Sequence, residues 1–300
     1  MASDLRILLL GSNGQVGHEL TRTLPSLGQV VPLDYPDIDF ANLKSIGSVV
    51  REIAPHIIVN AAAYTAVDKA ESEPLLAQAI NADAPAILAE EASKLGATLV
   101  HYSTDYVFDG AKATAYVETD RPNPLSVYGK TKLAGEVAVT KCPRHLTFRT
   151  SWVISAHGKN FVKTMLRLAS ERDNLRVVAD QWGAPTSAAL LAEMTTAALS
   201  STRDVSELDH CWGLYHLVAA GETTWNGLAK RVVLKAMELG KVGKVVPENV
   251  MPITTAEYPT PAARPMNSRL STAKLTSTFG FALPDWTVGV DAAVRQLVGG

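Results

Sequence analysis

An apolar run, Arg6–Leu10, breaks directly into Gly11-Ser-Asn-Gly14-Gln-Val-Gly17, and a helical pattern follows. Strand, glycine turn and helix, in that order, constrain this chain more than any other feature. Gly11 suits the tight turn, Gly14 lets backbone approach a bound pyrophosphate, and Gly17 permits close helix–strand packing. Amides around Gly14–Val16 then face phosphate oxygens at a helix N-terminus, where the dipole favours negative charge. The glycines are spaced three and three, not two and three as in the usual dinucleotide fingerprint, and an ordinary βα turn also needs glycines for packing. The strand before and the helix after favour dinucleotide binding, with Gly11, Asn13, Gly14, Gln15 and Val16 as candidate cofactor contacts.

The pattern beyond the loop supports this. Val30–Leu33, Ile57–Ala61, Thr98–Ser103 and Leu146–Ser151 read as strands, and helical spacing fills Glu19–Leu24, Leu43–Ile53, Leu75–Leu95 and Leu125–Val139. Such alternation predicts an α/β fold, a Rossmann-like doubly wound parallel sheet with right-handed crossovers. The later half is less regular. It carries helices at Phe161–Ser170, Ala188–Leu199 and Trp225–Leu239, strands at Arg176–Ala179 and Leu214–Val218, and proline-rich loops around Tyr258-Pro-Thr-Pro261 and Arg264-Pro265. We expect a dinucleotide-binding domain over 1–152 and a smaller C-terminal α/β substrate domain over 153–300, interleaved by elements returning near 187–220.

Composition narrows the class. A chain of 300 residues buries a sizeable core without staples, and two cysteines cannot make a disulfide framework or a four-ligand zinc site. The formal charge of −2 argues against a broadly basic nucleic-acid binder. No apolar run approaches the roughly 18–20 residues of a membrane span, so a cytoplasmic protein is expected.

Asp34 ends the second strand, where an acid accepts hydrogen bonds from both ribose hydroxyls and repels a 2′-phosphate. The same aspartate could be a solvated turn residue. Asp39 and Phe40 follow closely and could border an adenine, although Phe40 could equally be plain core. In Tyr128-Gly-Lys-Thr-Lys132 the phenol and the ammonium share one helix face, and a nearby cation favours the phenolate needed for proton transfer at neutral pH. Thr104 and Asp105 close the fourth strand, at the sheet edge where ligands collect, or else they merely cap the next turn.

Taken together, the glycine loop, Asn60-Ala-Ala-Ala-Tyr-Thr-Ala-Val-Asp-Lys-Ala-Glu71, Ser103-Thr-Asp-Tyr-Val-Phe108 and Tyr128-Gly-Lys-Thr-Lys-Leu-Ala-Gly-Glu136 resemble the extended short-chain dehydrogenase/reductases. Phe148-Arg-Thr-Ser-Trp-Val153, Asp180-Gln-Trp-Gly-Ala-Pro-Thr186, Gly213-Leu-Tyr-His-Leu217 and the run from Tyr258 to Leu270 narrow the resemblance to the dTDP-4-dehydrorhamnose reductase family. It implies reduction of the C4 ketone of a dTDP-linked deoxy-ketosugar, dTDP-4-dehydro-L-rhamnose, by NADPH or NADH. Tyr128 would donate the proton, Lys132 would hold the nicotinamide ribose and lower the tyrosine pKa, and Thr104 would orient the substrate oxygen. Ala63, Tyr64 and Thr65 join the cofactor-lining positions. Asp105 and Trp152 match substrate contacts, and Arg264 and Arg269 are candidates for the diphosphate. Trp152 could instead be core, and either arginine a surface ion-pair partner.

Some members of the family bind magnesium between two subunits through glutamates. Glu19 stands at the first such position, but Ser187-Ala-Ala-Leu-Leu191 has no carboxylate at the second. We therefore assign no metal ligand, and the homodimer that the metal would join loses its support. A 4,6-dehydratase would carry a second acid after Asp105, where Tyr106 stands. Another 4-ketoreductase, a 4-epimerase holding NAD through turnover, and a non-catalytic regulatory subunit are the remaining alternatives.

Overall fold

The computed structural model describes residues 5–202, 211–241 and 243–299. Its centre is a six-stranded sheet in which every neighbouring pair is parallel. The strands are β1 (Arg6–Leu10), β2 (Gln29–Leu33), β3 (Ile57–Asn60), β4 (Thr98–Thr104), β5 (His145–Thr150) and β6 (Gly213–His216), in spatial order β2-β1-β3-β4-β5-β6. The order reverses between β1 and β3, and the crevice at such a switch point is where this architecture binds ligands.

Side-chain alternation along β1 divides the core. Ile7 and Leu9 pack toward Leu20 of helix α1 (Gln15–Thr23), Leu24 just after it, and Leu191 and Leu199 of the helix Ala188–Ser201. Leu8 and Leu10 pack toward Ile46, Val50, Leu88 and Ala92 on the opposite face. Helices therefore cover both faces, which explains strands that are apolar nearly throughout. Truncating Leu9, fully buried here, to alanine should cost about 2–5 kcal/mol.

A separate core lies under the helices Phe161–Glu171, Trp225–Glu238 and Trp286–Val298, around Met165, Leu175, Leu228, Val232 and Val290. The parallel strands Leu175–Val178 and Val250–Ile253 floor it. The chain does not pass from one core to the other once. The helix Ala188–Ser201 and strand β6 return to the first core between visits to the second.

Three local expectations need correction. Helix α1 starts at Gln15, one residue after Gly14, not at Glu19. The stretch expected as one helix over Leu75–Leu95 contains a π turn at Ala79–Asp83. Pro85 has no amide to offer the Asn81 carbonyl one turn back, so the helix widens there. That carbonyl approaches the Tyr128 helix, where a Cβ at Gly135 would come within 2.1 Å of it. Two unexpected helices, Ala273–Phe279 and Trp286–Val298, also follow the late proline loops. Among the described residues, no helix is long and apolar enough to cross a membrane.

Candidate active site

The glycine loop opens a cleft of about 580 Å³ at the switch point. Gly11 turns the chain with φ +78°, donating its amide to the Leu33 carbonyl at 2.9 Å. A Cβ at Gly17 would fall 1.9 Å from the Gly11 carbonyl oxygen, so only glycine lets α1 start this close to β1. Gly11, Asn13, Gly14, Gln15 and Val16 form one wall of the cleft. Asp34, Asp39 and Phe40 border the second, and Ala63 and Thr65, after β3, the third. Asp34 is more than a turn residue. Its Oδ2 accepts the Asn13 amide at 2.8 Å and ties the second strand to the glycine loop. Phe40 is buried in the core and also forms part of the cleft wall.

Tyr64 departs from the expectation and does not line the cleft. Asn81 clasps its backbone, accepting the Tyr64 amide at 2.8 Å and donating to its carbonyl at 3.1 Å, while the phenol donates to Glu73 at 2.6 Å. This Asn81 clasp was not legible in the sequence, because its partners lie 17 residues apart.

At the inner end stand Tyr128 and Lys132, on the helix Val127–Val139 that Ser126 caps by accepting the Gly129 amide. The Lys132 ammonium donates to the Tyr102 carbonyl at 2.6 Å, leaving two further donors. Burial lowers its pKa to about 8, opposed by the Glu136 carboxylate one turn further along. Glu136 in turn receives a two-pronged hydrogen bond from Arg149 of β5, at 2.8 and 2.7 Å, with both side chains buried. Sequence reasoning missed this pair, although Tyr128, Lys132 and Glu136 at four-residue intervals share one helix face.

The expectation that Lys132 would lower the tyrosine pKa is not met. Burial dominates and pushes the Tyr128 phenol up to about 12, with the Thr104 hydroxyl opposing through a hydrogen bond and Asp105 adding to the rise. Such a phenol keeps its proton at neutral pH, the state a proton donor requires. Thr104 donates to the Asp105 carboxylate at 3.0 Å and caps the following turn, and neither residue is part of the lining of the glycine-loop cleft. Burial raises Asp105 to about 6.

A second cleft, of about 390 Å³, lies beyond Tyr106, whose ring meets that of Tyr128 edge-on at 5.5 Å. Phe161, Met165 and Trp225 give it apolar walls, and Arg172, Arg176 and Arg264 add three guanidinium groups. Arg264 lines this cleft and also pairs with Asp68 at 2.7 Å. Arg269 lines neither cleft. It braces loops through Asn267, Glu222 and the Ala113 carbonyl, as an ion-pair residue does. Trp152 also lies outside both linings. It stacks on Trp225 at 3.7 Å and supports the cleft wall from behind. Arg172 and Arg176 had no signal in the sequence, since they flank an ordinary loop.

The residues around Glu19 do not fit an oxygen-ligated magnesium. Ser187 uses its hydroxyl to cap its helix, Leu190 and Leu191 are buried, and the first acid on that helix, Glu193, is exposed.

The model of the RmlD substrate binding domain matches residues 5–298. A dTDP-4-dehydrorhamnose reductase of Salmonella typhimurium is 49% identical over 298 residues, covering 98% of both chains. This chain belongs to the dTDP-4-dehydrorhamnose reductase family. Among solved structures, a family member from Clostridium acetobutylicum superposes with a TM-score of 0.89 at 36% identity, covering 98% of this chain and 99% of that one. Another, from Bacillus anthracis and in complex with NADP, gives the same TM-score and identity and covers 98% and 100%. The two clefts described above are thus those of a reductase-family chain.

Proposed function

We propose that this protein, in the cytoplasm, reduces the C4 ketone of dTDP-4-dehydro-β-L-rhamnose with NADPH or NADH, yielding dTDP-β-L-rhamnose for cell-surface polysaccharide. The observation that carries the reading is the position of Tyr128. Its half-buried phenol lines the glycine-loop cleft, and through Tyr106 it borders the arginine-bearing cleft.

The first cleft fits a nicotinamide dinucleotide. Its glycine cradle leaves no room for a Cβ at Gly17, and its backbone amides sit at a helix start. Gly14, Gln15 and Val16 would face the pyrophosphate, Asp34 the adenine-side ribose, and Lys132 the nicotinamide ribose. When bound, the reduced nicotinamide supplies hydride. Tyr128 holds the proton for the C4 oxygen, and Thr104 accompanies it as a second hydroxyl. Arg264 and its neighbours Arg172 and Arg176 suit the diphosphate, because planar guanidinium groups match phosphate oxygens.

The test is cofactor turnover. Purified protein should oxidise NAD(P)H only with the dTDP-ketosugar present, releasing oxidised cofactor each cycle, with dTDP-rhamnose identified by NMR. Stoichiometric NAD surviving gel filtration, with no net consumption of reduced cofactor, would overturn the reading in favour of an epimerase.

A further inference from the structure

Beside the glycine loop, two imidazoles and a carboxylate converge. His18 and Glu19 belong to α1, and His157 comes from the loop 155–160. The His18 and His157 rings lie 3.5 Å apart between centroids, tilted by 38°. One ligand atom from each of the three residues falls within 4.8 Å of the others. Among the described residues, neither imidazole hydrogen-bonds through its ring nitrogens to another residue.

The loop that carries His157 is held in place. The Asn160 side-chain amide donates to the Ser155 carbonyl at 2.6 Å and to Gln15 Oε1 at 2.9 Å, and its Oδ1 caps the next helix by accepting the Lys163 amide. The His157 amide donates to Ser155 Oγ at 3.0 Å. Glu19 is buried, and Arg22 engages only its Oε2, at 2.9 Å, from an exposed position. Its Oε1 remains for another partner.

We propose that His18, Glu19 and His157 bind one divalent transition ion of the zinc class within a single chain. Two imidazoles and one carboxylate suit a borderline-soft ion, whereas magnesium prefers an all-oxygen set. Tetrahedral bonds of about 2.0–2.1 Å set donors about 3.3 Å apart, so the site closes by side-chain rotation of the exposed His157. Water completes the fourth position. The ion ties loop 155–160 to the helix whose first turn forms the glycine cradle, and it stands whatever reaction the clefts support.

The experiment uses untagged full-length protein, stripped with chelator and titrated with cobalt(II) as a spectroscopic stand-in for zinc. One equivalent should develop visible d–d absorption that zinc abolishes by competition, and zinc should raise the melting temperature. His18→Ala and His157→Ala should each weaken cobalt binding by at least about 100-fold while far-UV circular dichroism stays unchanged. Glu19→Gln should weaken it as well. Wild-type cobalt binding in both histidine variants would overturn the proposal, and so would absorption that magnesium displaces as readily as zinc. His157→Gln, in an exposed loop, guards against loss of fold in the helix variant.

Discussion

Glu136→Gln isolates the charge pair beneath the site. In the native fold, the buried Arg149 guanidinium donates from Nε and Nη2 to the two Glu136 oxygens, at 2.8 and 2.7 Å. Glutamine keeps one acceptor, turns an amide donor toward the second guanidinium nitrogen, and removes the compensating charge. Breaking one side of a buried pair typically costs about 3–5 kcal/mol. With an unfolding entropy of about 2.1 cal/mol/K per residue over 300 residues, the melting temperature should fall by about 5–8 °C. Glu136 also opposes the burial that lowers Lys132 to about 8, so its loss lowers that pKa further. Lysine carries charge below its pKa, and the alkaline fall in kcat should therefore begin at a lower pH. Differential scanning calorimetry and a pH–rate profile read the two effects. The double replacement Glu136→Leu with Arg149→Met should recover most of the stability and none of the alkaline limb. A melting temperature within 2 °C of wild type for Glu136→Gln (roughly 1 kcal/mol on the same scale) would refute the argument.

Tyr128→Phe should lower kcat by about 10²–10⁴ and leave dinucleotide affinity nearly unchanged; wild-type turnover would remove Tyr128 from the mechanism. Asp105, raised from an ordinary 3.8 to about 6 by burial, keeps in the native state a proton that the unfolded chain releases. Its contribution therefore makes stability fall as pH rises through that window and stay level above it. Asp105→Asn should remove that slope and gain up to roughly 3 kcal/mol at pH 7; parallel urea-denaturation curves for both proteins from pH 4 to 7 would contradict this. Asp34→Asn keeps an acceptor for the Asn13 amide but drops the charge, so kcat/KM with NADPH should rise about tenfold relative to NADH, measured by steady-state kinetics. Calorimetry should find dTDP-rhamnose binding about 5–150-fold tighter when cofactor already fills the adjoining cleft, and equal affinity would separate the two sites.

The sheet, the glycine loop and the Tyr128–Lys132 pair were legible from the chain alone, because each depends on spacing. The alternation of the fully buried Ile7–Leu10 between the two faces of the sheet and the four-residue steps from Tyr128 follow from local backbone geometry, which is the same wherever the segment ends up. Contacts between distant segments carry no such signature. Arg264 and Arg269 lie five residues apart and read alike, yet one lines the arginine-bearing cleft and the other braces loops. Which fate each meets depends on Asp68 and Glu222, brought from elsewhere in the chain. The same holds for Asn81 clasping Tyr64, for Arg149 meeting Glu136, and for His157 arriving beside His18. Electrostatics were the least legible of all. The spacing placed a cation near Tyr128 and pointed to a lowered pKa, but the folded chain removes water from the phenol and drives it the other way. Desolvation is set by everything packed around a group, and only the tertiary structure assembles those neighbours.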